Sequence, residues 1–212
     1  MNEFLAVLAG LPLTLLVTVC AFAIGLLGGL PIMLGLRSRI LPVRLLCRLI
    51  VDLIRGVPTI VWLFLLYFGV SIGGFRFPSL AAAIVGLGLI SAAYLSEIYR
   101  GAFQALPKTQ SEAAQALGLG RVTTFLRILA PQAIRTALPS ITSYALALVK
   151  DTSIASTIGV AEIVFAATTY ARQNPATAGL IPFFFAALIY LAVSIPLAIL
   201  ARRLDTRLRR SF

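Results

Sequence analysis

The sequence predicts an all-α membrane protein with five transmembrane helices, and two observations support this fold class. Of the 212 residues, 60% are hydrophobic and 12% are charged, and the mean hydropathy is +1.01. Soluble domains are about half apolar and about a quarter charged. The apolar residues also form long uninterrupted blocks, and a helix of about 20 such residues crosses the hydrocarbon core of a bilayer.

The five predicted spans follow one another through a single membrane domain that covers residues 1–212. Four of them contain a long stretch without a charged residue, and the remaining one carries only Arg135 near its start. A loop of about 101–130 separates the third span from the fourth. The predicted spans are about 11–36, 57–75, 77–100, 131–149 and 178–201.

The basic residues indicate which ends of the spans face the cytosol. The chain has 18 Lys and Arg against 7 Asp and Glu, a net charge of +11. In a soluble chain this excess would suggest nucleic-acid binding, but 15 of the 18 basic residues lie at span boundaries, within 37–55, 100–135 and 202–210. With five crossings these clusters share one face, which the positive-inside rule makes cytoplasmic. We therefore expect the N-terminus outside, the C-terminus in the cytosol and no nucleic-acid partner.

Several chemical signatures are absent from the sequence. It contains no His, no Cys or carboxylate cluster at metal-ligand spacing, and no GxxxxGK[ST] phosphate loop. The absence of a nucleophile–base pair disfavours a membrane-embedded enzyme. If the protein uses ATP, another chain must bind it. Residues 1–10 contain no Lys or Arg, so we expect the first span to remain as an anchor.

Three segments between the spans have patterns of their own. From Pro42 to Gly56, arginines and leucines alternate as in an amphipathic helix at the membrane surface. SIGGFRFP predicts a short outer hairpin, because Gly-Gly and Pro end helices. KDTSIASTIGVAE is too polar for lipid and too short to span, which predicts a broken or partly re-entrant segment buried against other helices, then a short helix to about Ala171. Small residues in the third span predict close helix packing, namely Gly86, Gly88, Ser91, Ala92 and Ala93.

The loop between the third and fourth spans contains a predicted short helix. Thr109 and Glu112 have the spacing of a capping box, with Thr109 as the N-cap, and Gly118-Leu119-Gly120 predicts the helix end. Ala113 with Leu117, and Ala114 with Gly118, form a thin apolar face at i,i+4 spacing. About two turns of helix do not persist alone in water. The helix must therefore dock, either into a groove of another protein or onto its own neighbours.

The same loop carries a family signature. Glu112-Ala113-Ala114, then Gly118, Ile128 and Pro131, resemble the EAA-G-I-P pattern of ABC importer permeases, although Ala130 stands where that family often has Leu. The stretches LPLTLLVTV, RGVPTIVWLFLLYFG, AAYLSEIYRGA and VKDTSIASTIGVAE resemble the permeases for polar amino acids. The resemblance covers nearly the whole chain.

The resemblance implies a type I ABC importer permease fold in the bacterial cytoplasmic (inner) membrane. It implies a dimer of ATPase subunits that bind ATP and Mg, a second permease that is identical or paralogous, and an extracytoplasmic solute-binding protein. This chain would hold no cofactor of its own. Its 107–131 loop would insert into the ATPase and drive alternating access, with Glu112, Ala113, Ala114, Leu117, Gly118, Ile128 and Pro131 as the coupling residues.

An amino acid in the translocation path would need a cation to bind its carboxylate and an anion or hydrogen-bond acceptor to bind its ammonium group. Ionisable residues within the spans are candidates for both roles. Glu97 and Arg100 stand at i,i+3, where they could instead pair with each other. Asp151 and its hydroxyl neighbours Thr152 and Ser153 could hold an ammonium group, or Asp151 could cap the helix that follows. Ser91 and Tyr94 are further candidates, and Glu162 could face the outer solvent or the binding protein.

Two other classes of protein differ in testable ways. An ion-coupled carrier or channel for small polar solutes would act alone and without ATP, and it would give no reason for a capped helix in the cytosol. A membrane-embedded enzyme would need catalytic groups that the sequence lacks. The sequence itself does not identify the amino acid.

Overall fold

A computed structural model describes residues 2–72, 75–175 and 179–209 of the chain. The predicted all-α class is confirmed, and only two strands of two residues each interrupt the helices of the described part. Gly73 and Gly74 of the predicted hairpin, Ala178 at the predicted start of the last span, and Arg210 of the basic tail lie outside the described residues. The helices are α1 Glu3–Leu8, α2 Leu11–Leu36, α3 Leu41–Gly56, α4 Thr59–Phe64, α5 Ser79–Gln104, α6 Lys108–Ala116, α7 Arg121–Thr124, α8 Ala130–Asp151, α9 Ile163–Gln173 and α10 Ile181–Arg209.

Five spans fit the structure when two bent helix pairs are counted as one span each. In the described residues, three helical stretches are long and apolar enough to cross a bilayer alone: Glu3–Leu36, Ser79–Gln104 and Ile181–Thr206. The first bent pair joins α3 to Thr59–Gly69 at 102°, and the second joins Arg121–Ile158 to α9 at 46°.

The observed helices follow the predicted spans with two differences: the second span is shorter than predicted, and α10 continues to Arg209, beyond the predicted end of the fifth span at about 201. The first predicted span coincides with α2, and the third and fourth agree with α5 and α8 to within a few residues. The second was predicted over 57–75, but its helix covers only Thr59–Gly69, where α4 continues as a π-helical segment, Leu65–Gly69. Eleven helical residues rise only about 16 Å, which is short of a full bilayer core. The chain then turns into β1 Ser71–Ile72 and β2 Phe75–Arg76, an antiparallel pair that confirms the predicted hairpin.

Helices α2 and α5 form the most extensive helix–helix contact in the described structure. Their surfaces meet through small residues. A Cβ atom added to Gly29 would lie 3.1 Å from the backbone nitrogen of Ser96, and one on Gly28 would lie 3.1 Å from the Cβ of Ala92. The five small residues predicted to pack on the third span are all buried in α5, which confirms that prediction.

The segment after α8 has the predicted broken form. A 3₁₀ helix, Thr152–Ile158, continues α8 and buries Thr152, Ala155 and Ile158. Gly159 then adopts φ +87°, a left-handed conformation that glycine tolerates, and the chain turns into α9. Helix α9 extends to Gln173, slightly beyond the predicted end near Ala171.

The first loop forms the predicted helix, with Pro42 in its first turn. Val51 is buried against Leu36 and Ala93, so α3 is attached to both α2 and α5. Its position at the membrane surface stays a prediction.

Candidate functional site

The segment predicted to couple to an ATPase is a helix of nine residues, α6, which follows α5 in the chain and contacts the π-helical segment Phe125–Leu129 that precedes α8. Its start differs from the prediction. The helix begins at Lys108 after Pro107, whose backbone is extended at φ −59° and ψ 135°, and no side chain caps it. Thr109 therefore lies inside the first turn, and the predicted capping box with Thr109 as N-cap is wrong. Proline already positions the chain for helix entry one residue earlier.

The end of α6 is as predicted from Gly118. The backbone N–H of Leu119 donates to the Ala114 carbonyl at 3.0 Å, and that of Gly118 donates to the Gln115 carbonyl at 2.9 Å. Together with φ +70° at Gly118, these bonds form a Schellman motif, which requires a left-handed residue at this position.

One side of α6 rests on its own chain and the other side is uncovered. Ala114 is 1% exposed, whereas Leu117, just past the helix end, is 78% exposed. Glu112, Ala113 and Gly118 are also exposed. The two docking alternatives left open by the sequence are thus compatible: the chain covers Ala114 and leaves an apolar and acidic surface available to another protein.

A four-residue turn, 117–120, follows α6, and from Arg121 onward the chain stays helical into α8. Helix α7 passes into a π-helical segment, Phe125–Leu129, and then directly into α8. The ring of Phe125 stacks on that of Phe103 near the end of α5, with centroids 5.2 Å apart. Ile128 lies half-buried in the π-helical segment, and Pro131 lies exposed in the first turn of α8. A displacement of this segment would therefore reach both α5 and α8.

The candidate path residues Ser91 and Tyr94 face α8. The Tyr144 hydroxyl donates to Ser91 Oγ at 2.9 Å, and its ring stacks on Tyr94 with centroids 5.5 Å apart. The Arg55 guanidinium lies 5.0 Å from the Tyr94 ring centroid. Tyr144 and Arg55 were not identified as path residues from the sequence. The one available signal for Tyr144 was a tyrosine within an apolar span, and Arg55 appeared only as a member of a basic cluster.

Glu97 and Arg100 pair with each other, as one of the two sequence alternatives predicted. Arg100 Nη2 lies 2.6 Å from Glu97 Oε2, and Arg100 Nε donates to the same carboxylate at 3.1 Å. A ligand at this position would have to displace an existing ion pair.

Asp151 differs from its neighbours because its carboxylate has no hydrogen bond or ion pair within the described residues. The Thr152 hydroxyl donates to the Val149 carbonyl, and the Ser153 hydroxyl donates to the Lys150 carbonyl, each at 2.7 Å. The alternative in which Asp151 caps the next helix is wrong, because no side-chain cap bond forms and helical geometry continues through it. Asp151 lies seven residues after Tyr144, so both residues are on the same face of α8.

Glu162 is fully buried rather than facing the outer solvent. Its carboxylate accepts from the Phe165 backbone N–H at 2.8 Å and from the Tyr190 hydroxyl at 2.7 Å. It is the N-cap of α9 and ties that helix to α10. The Ile163 backbone N–H donates to Thr14 Oγ1 at 3.3 Å, which joins the same cluster to α2. The expectation that Glu162 faces outer solvent or a binding protein is therefore wrong, because its side chain is fully buried within this chain.

Comparison with known proteins defines the class of this chain. Residues 25–210 match the family described as binding-protein-dependent transport system inner membrane component. The chain belongs to this family, a class of multi-pass membrane permeases, and the resemblance drawn from its EAA-type loop is confirmed.

Individual relatives include amino-acid permeases. The chain is 37% identical over 179 residues to the probable amino-acid permease protein YxeN of Bacillus subtilis, covering 82% of this chain and 79% of that one. It is 39% identical over 170 residues to the arginine ABC transporter permease protein ArtQ of Haemophilus influenzae, covering 76% and 75%.

Solved structures confirm the type I ABC importer permease fold. A crystal structure of an amino acid ABC transporter with histidines superposes with a TM-score of 0.87 at 32% identity and covers 95% of this chain and 94% of that one. The MetNI methionine ABC transporter has a TM-score of 0.65 at 19% identity, covers 96% of this chain and 94% of that one, and shows only the shared fold.

Proposed function

We propose that this chain is the transmembrane permease subunit of an ATP-driven importer for polar amino acids. The observation that carries the proposal is the uncovered side of α6, a short helix attached to both α5 and α8. The likeness to permeases named for amino acids, one of them for arginine, supports this class of substrate.

In the proposed transporter, this chain works together with three kinds of partner protein. A dimer of ATPase subunits binds ATP and Mg and receives α6, a second permease copy or paralogue completes the path, and an extracytoplasmic binding protein delivers the amino acid. The basic clusters at the span boundaries support a cytosolic α6 and C-terminus and an outer N-terminus.

Coupling would work through rigid connections. When ATP draws the two ATPase subunits together, each carries one α6 with it. The stacked rings of Phe103 and Phe125 transmit the movement to α5, and the helical stretch from Arg121 to Asp151 transmits it to α8. ATP shifts the population of states only through its preference for one of them. The tilting of α5 and α8 would close the inner opening and expose the outer one, which is alternating access.

The facing surfaces of α5 and α8 would line the substrate path. Asp151 has the unpaired carboxylate that a substrate ammonium group requires, while Arg55 beside Tyr94 is a cation available to its carboxylate. Ser91 is already bonded to Tyr144 and would position that ring rather than bind substrate directly. Glu97 and Arg100 would contribute only if their ion pair opens.

Uptake by reconstituted vesicles tests the function. Vesicles with the complete transporter should accumulate labelled amino acid when ATP is enclosed, and vesicles that lack the ATPase should not. Uptake without the ATPase, driven by an ion gradient, would instead establish the carrier alternative.

The coupling assignment has its own test. Glu112→Arg and Gly118→Trp place a charge reversal and a large side chain on the uncovered surface, and both should reduce ATPase co-purification and uptake at least about tenfold. Gly101→Trp on α5 is the control for bulk alone, because Gly101 is also exposed with open space around it, and Gly118→Ala separates the strain of a side chain at φ +70° from the effect of bulk. Full uptake by both coupling variants would contradict the assignment.

The path assignment is tested by Asp151→Asn, with Asp52→Asn on the exposed side of α3 as the matched control. Asp151→Asn should reduce uptake about tenfold without loss of ATPase association. The substitution removes the charge interaction between the carboxylate and the substrate ammonium group, and a loss of about 1.4 kcal/mol corresponds to that factor. Equal uptake by the two variants would remove Asp151 from the path.

A further inference from the structure

A cleft of about 610 Å³ lies where α2, α3 and α5 meet, next to the end of α2. Four arginines line it, together with apolar side chains and the ring of an aromatic residue. None of its lining residues belongs to α6. The residues that matter here are Arg37, Arg44, Arg48, Arg100, Leu45 and Phe103.

The arginines are brought together by three separate elements. Arg44 and Arg48 stand one turn apart on α3, and Arg37 follows the last residue of α2. The Arg37 guanidinium lies 4.4 Å from the centroid of the Phe103 ring, which belongs to α5. Such a cation–aromatic contact orients the guanidinium while leaving its donors available.

Most of this positive charge is not neutralised by the chain itself. Arg100 is paired with Glu97. In the described ranges, no carboxylate forms an ion pair within 4.0 Å of Arg37, Arg44 or Arg48. Three guanidinium groups therefore line one concave space without an ion-pair partner, and the Glu97 carboxylate that also acts on Arg48 is already paired with Arg100. This arrangement favours an anion with several acceptor oxygens.

The surroundings of the cleft identify the source of that anion. Leu45 lines the cleft, and Leu46, Leu49 and Leu53 continue along α3 with more than half of each side chain exposed. A soluble phosphate would use only the arginines and leave these leucines in water. A phospholipid would place its headgroup among the arginines and its acyl chains along the leucines, as amphipathic helices do at a membrane interface.

We propose that this arginine cleft binds the headgroup phosphate of an anionic phospholipid from the cytoplasmic leaflet. Basic pockets between helices on the cytoplasmic side suit such headgroups. The leaflet rests on the proposed topology, whereas the binding itself depends on neither the substrate nor the coupling mechanism. The bound lipid would hold α3 against α2 and α5.

Native mass spectrometry of the assembled transporter tests the proposal, with phosphatidylglycerol added in competition with phosphatidylcholine. The double variant Arg44→Gln/Arg48→Gln should retain phosphatidylglycerol about tenfold less than the unmodified transporter. Arg202→Gln/Arg203→Gln removes the same charge from exposed positions on α10 and should retain it normally. Arg44→Lys/Arg48→Lys keeps the charge and should retain most of the lipid. This variant still allows lipid retention to be measured if the glutamine variant does not assemble.

Three results would overturn the proposal. Equal loss in the two glutamine double variants would mean that binding follows total charge rather than the cleft. Displacement of the lipid by inorganic phosphate at equal concentration would make the cleft a site for soluble anions. Unchanged lipid retention together with loss of the ATPase from the Arg44→Gln/Arg48→Gln complex would assign the cleft to a protein contact. None of these measurements involves amino-acid uptake, so their failure is separate from failure of the proposed function.

Discussion

The α2–α5 contact and the α6 segment are both rich in small residues, yet the space around those residues differs. A Cβ on Gly25 would lie 3.0 Å from the backbone carbon of Ser91, and one on Gly88 would lie 2.8 Å from a methyl group of Ile24. At Gly118 and Gly120, nothing lies within 4 Å of the added atom. The glycines of the α2–α5 contact are required because no larger side chain fits between the two helices. Packing within this chain explains neither Gly118 nor Gly120.

The largest effect is expected from filling the α2–α5 contact. Gly25→Leu would force backbone atoms of two helices apart, and overpacking of this kind costs roughly 1–3 kcal/mol or more. We expect most of the variant to be lost as aggregate in fluorescence-detected size-exclusion chromatography. Gly101→Leu is the matched control on α5, with open space around its Cβ, and should elute normally. Equal elution of both would show that the close approach of α2 and α5 is not required.

A smaller effect is expected inside the polar cluster of Glu162. Tyr190→Phe removes a donor from a fully buried carboxylate, which should destabilise the permease by about 1–3 kcal/mol. The matched control is Tyr170→Phe, because the Tyr170 hydroxyl has no hydrogen bond within the described residues. Thermal unfolding of the purified transporter should show a lower midpoint for the first variant only. An equal shift of the midpoint in both variants would show that the hydrogen bond between Tyr190 and Glu162 does not contribute specifically to stability.

In the coupling segment, backbone conformation rather than space should decide the outcome. Gly118→Ala places a Cβ at φ +70°, at a cost of roughly 1–2 kcal/mol, whereas Gly120 has φ −63° and accepts alanine. We expect a lower ATP-driven uptake rate for Gly118→Ala and an unchanged rate for Gly120→Ala. If the two rates match, the Schellman end of α6 has no influence on coupling.

The smallest effect is expected at Thr109. Replacing a true N-cap by alanine costs about 1 kcal/mol, but Thr109 lies within α6 and makes no cap bond. Thr109→Ala should therefore change the unfolding midpoint and uptake very little. A loss of uptake as large as that of Gly118→Ala would show that Thr109 caps α6 after all.

Hydropathy alone does not distinguish the interior helix from the peripheral one. The most apolar stretch of α10 has a mean hydropathy of 2.5 with 11% of its residues buried, against 1.8 and 61% for α5. Where lipid is as apolar as leucine, helices associate through small residues and polar contacts. Small residues in the third span therefore predicted the interior helix correctly, although it is the less hydrophobic of the two.

Local patterns predicted helices and their ends better than contacts between helices. The uncharged block 11–36 matched α2, and Gly118 marked the end of α6, because each depends on neighbouring residues only. The start of α6 was misplaced because Pro107 and Thr109 offer competing starts, and boundaries of this kind vary by a residue or two. The bond between Tyr144 and Ser91, and the burial of Glu162, depend on which helices become neighbours, which no local pattern contains.

The most direct test of the central claim is cross-linking of α6 to the ATPase in the assembled transporter. Ala113→Cys, in a background with Cys20 and Cys47 replaced by alanine, should form an adduct with the ATPase through a membrane-permeant bifunctional reagent, whose maleimide bonds to the thiol and whose photoreactive group bonds to the neighbouring protein. Leu180→Cys, at a position 83% exposed and on the opposite side of the membrane in the proposed topology, should form none. An absent adduct at Ala113, or an equal yield at both positions, would contradict the claim that α6 receives the movement of the ATPase.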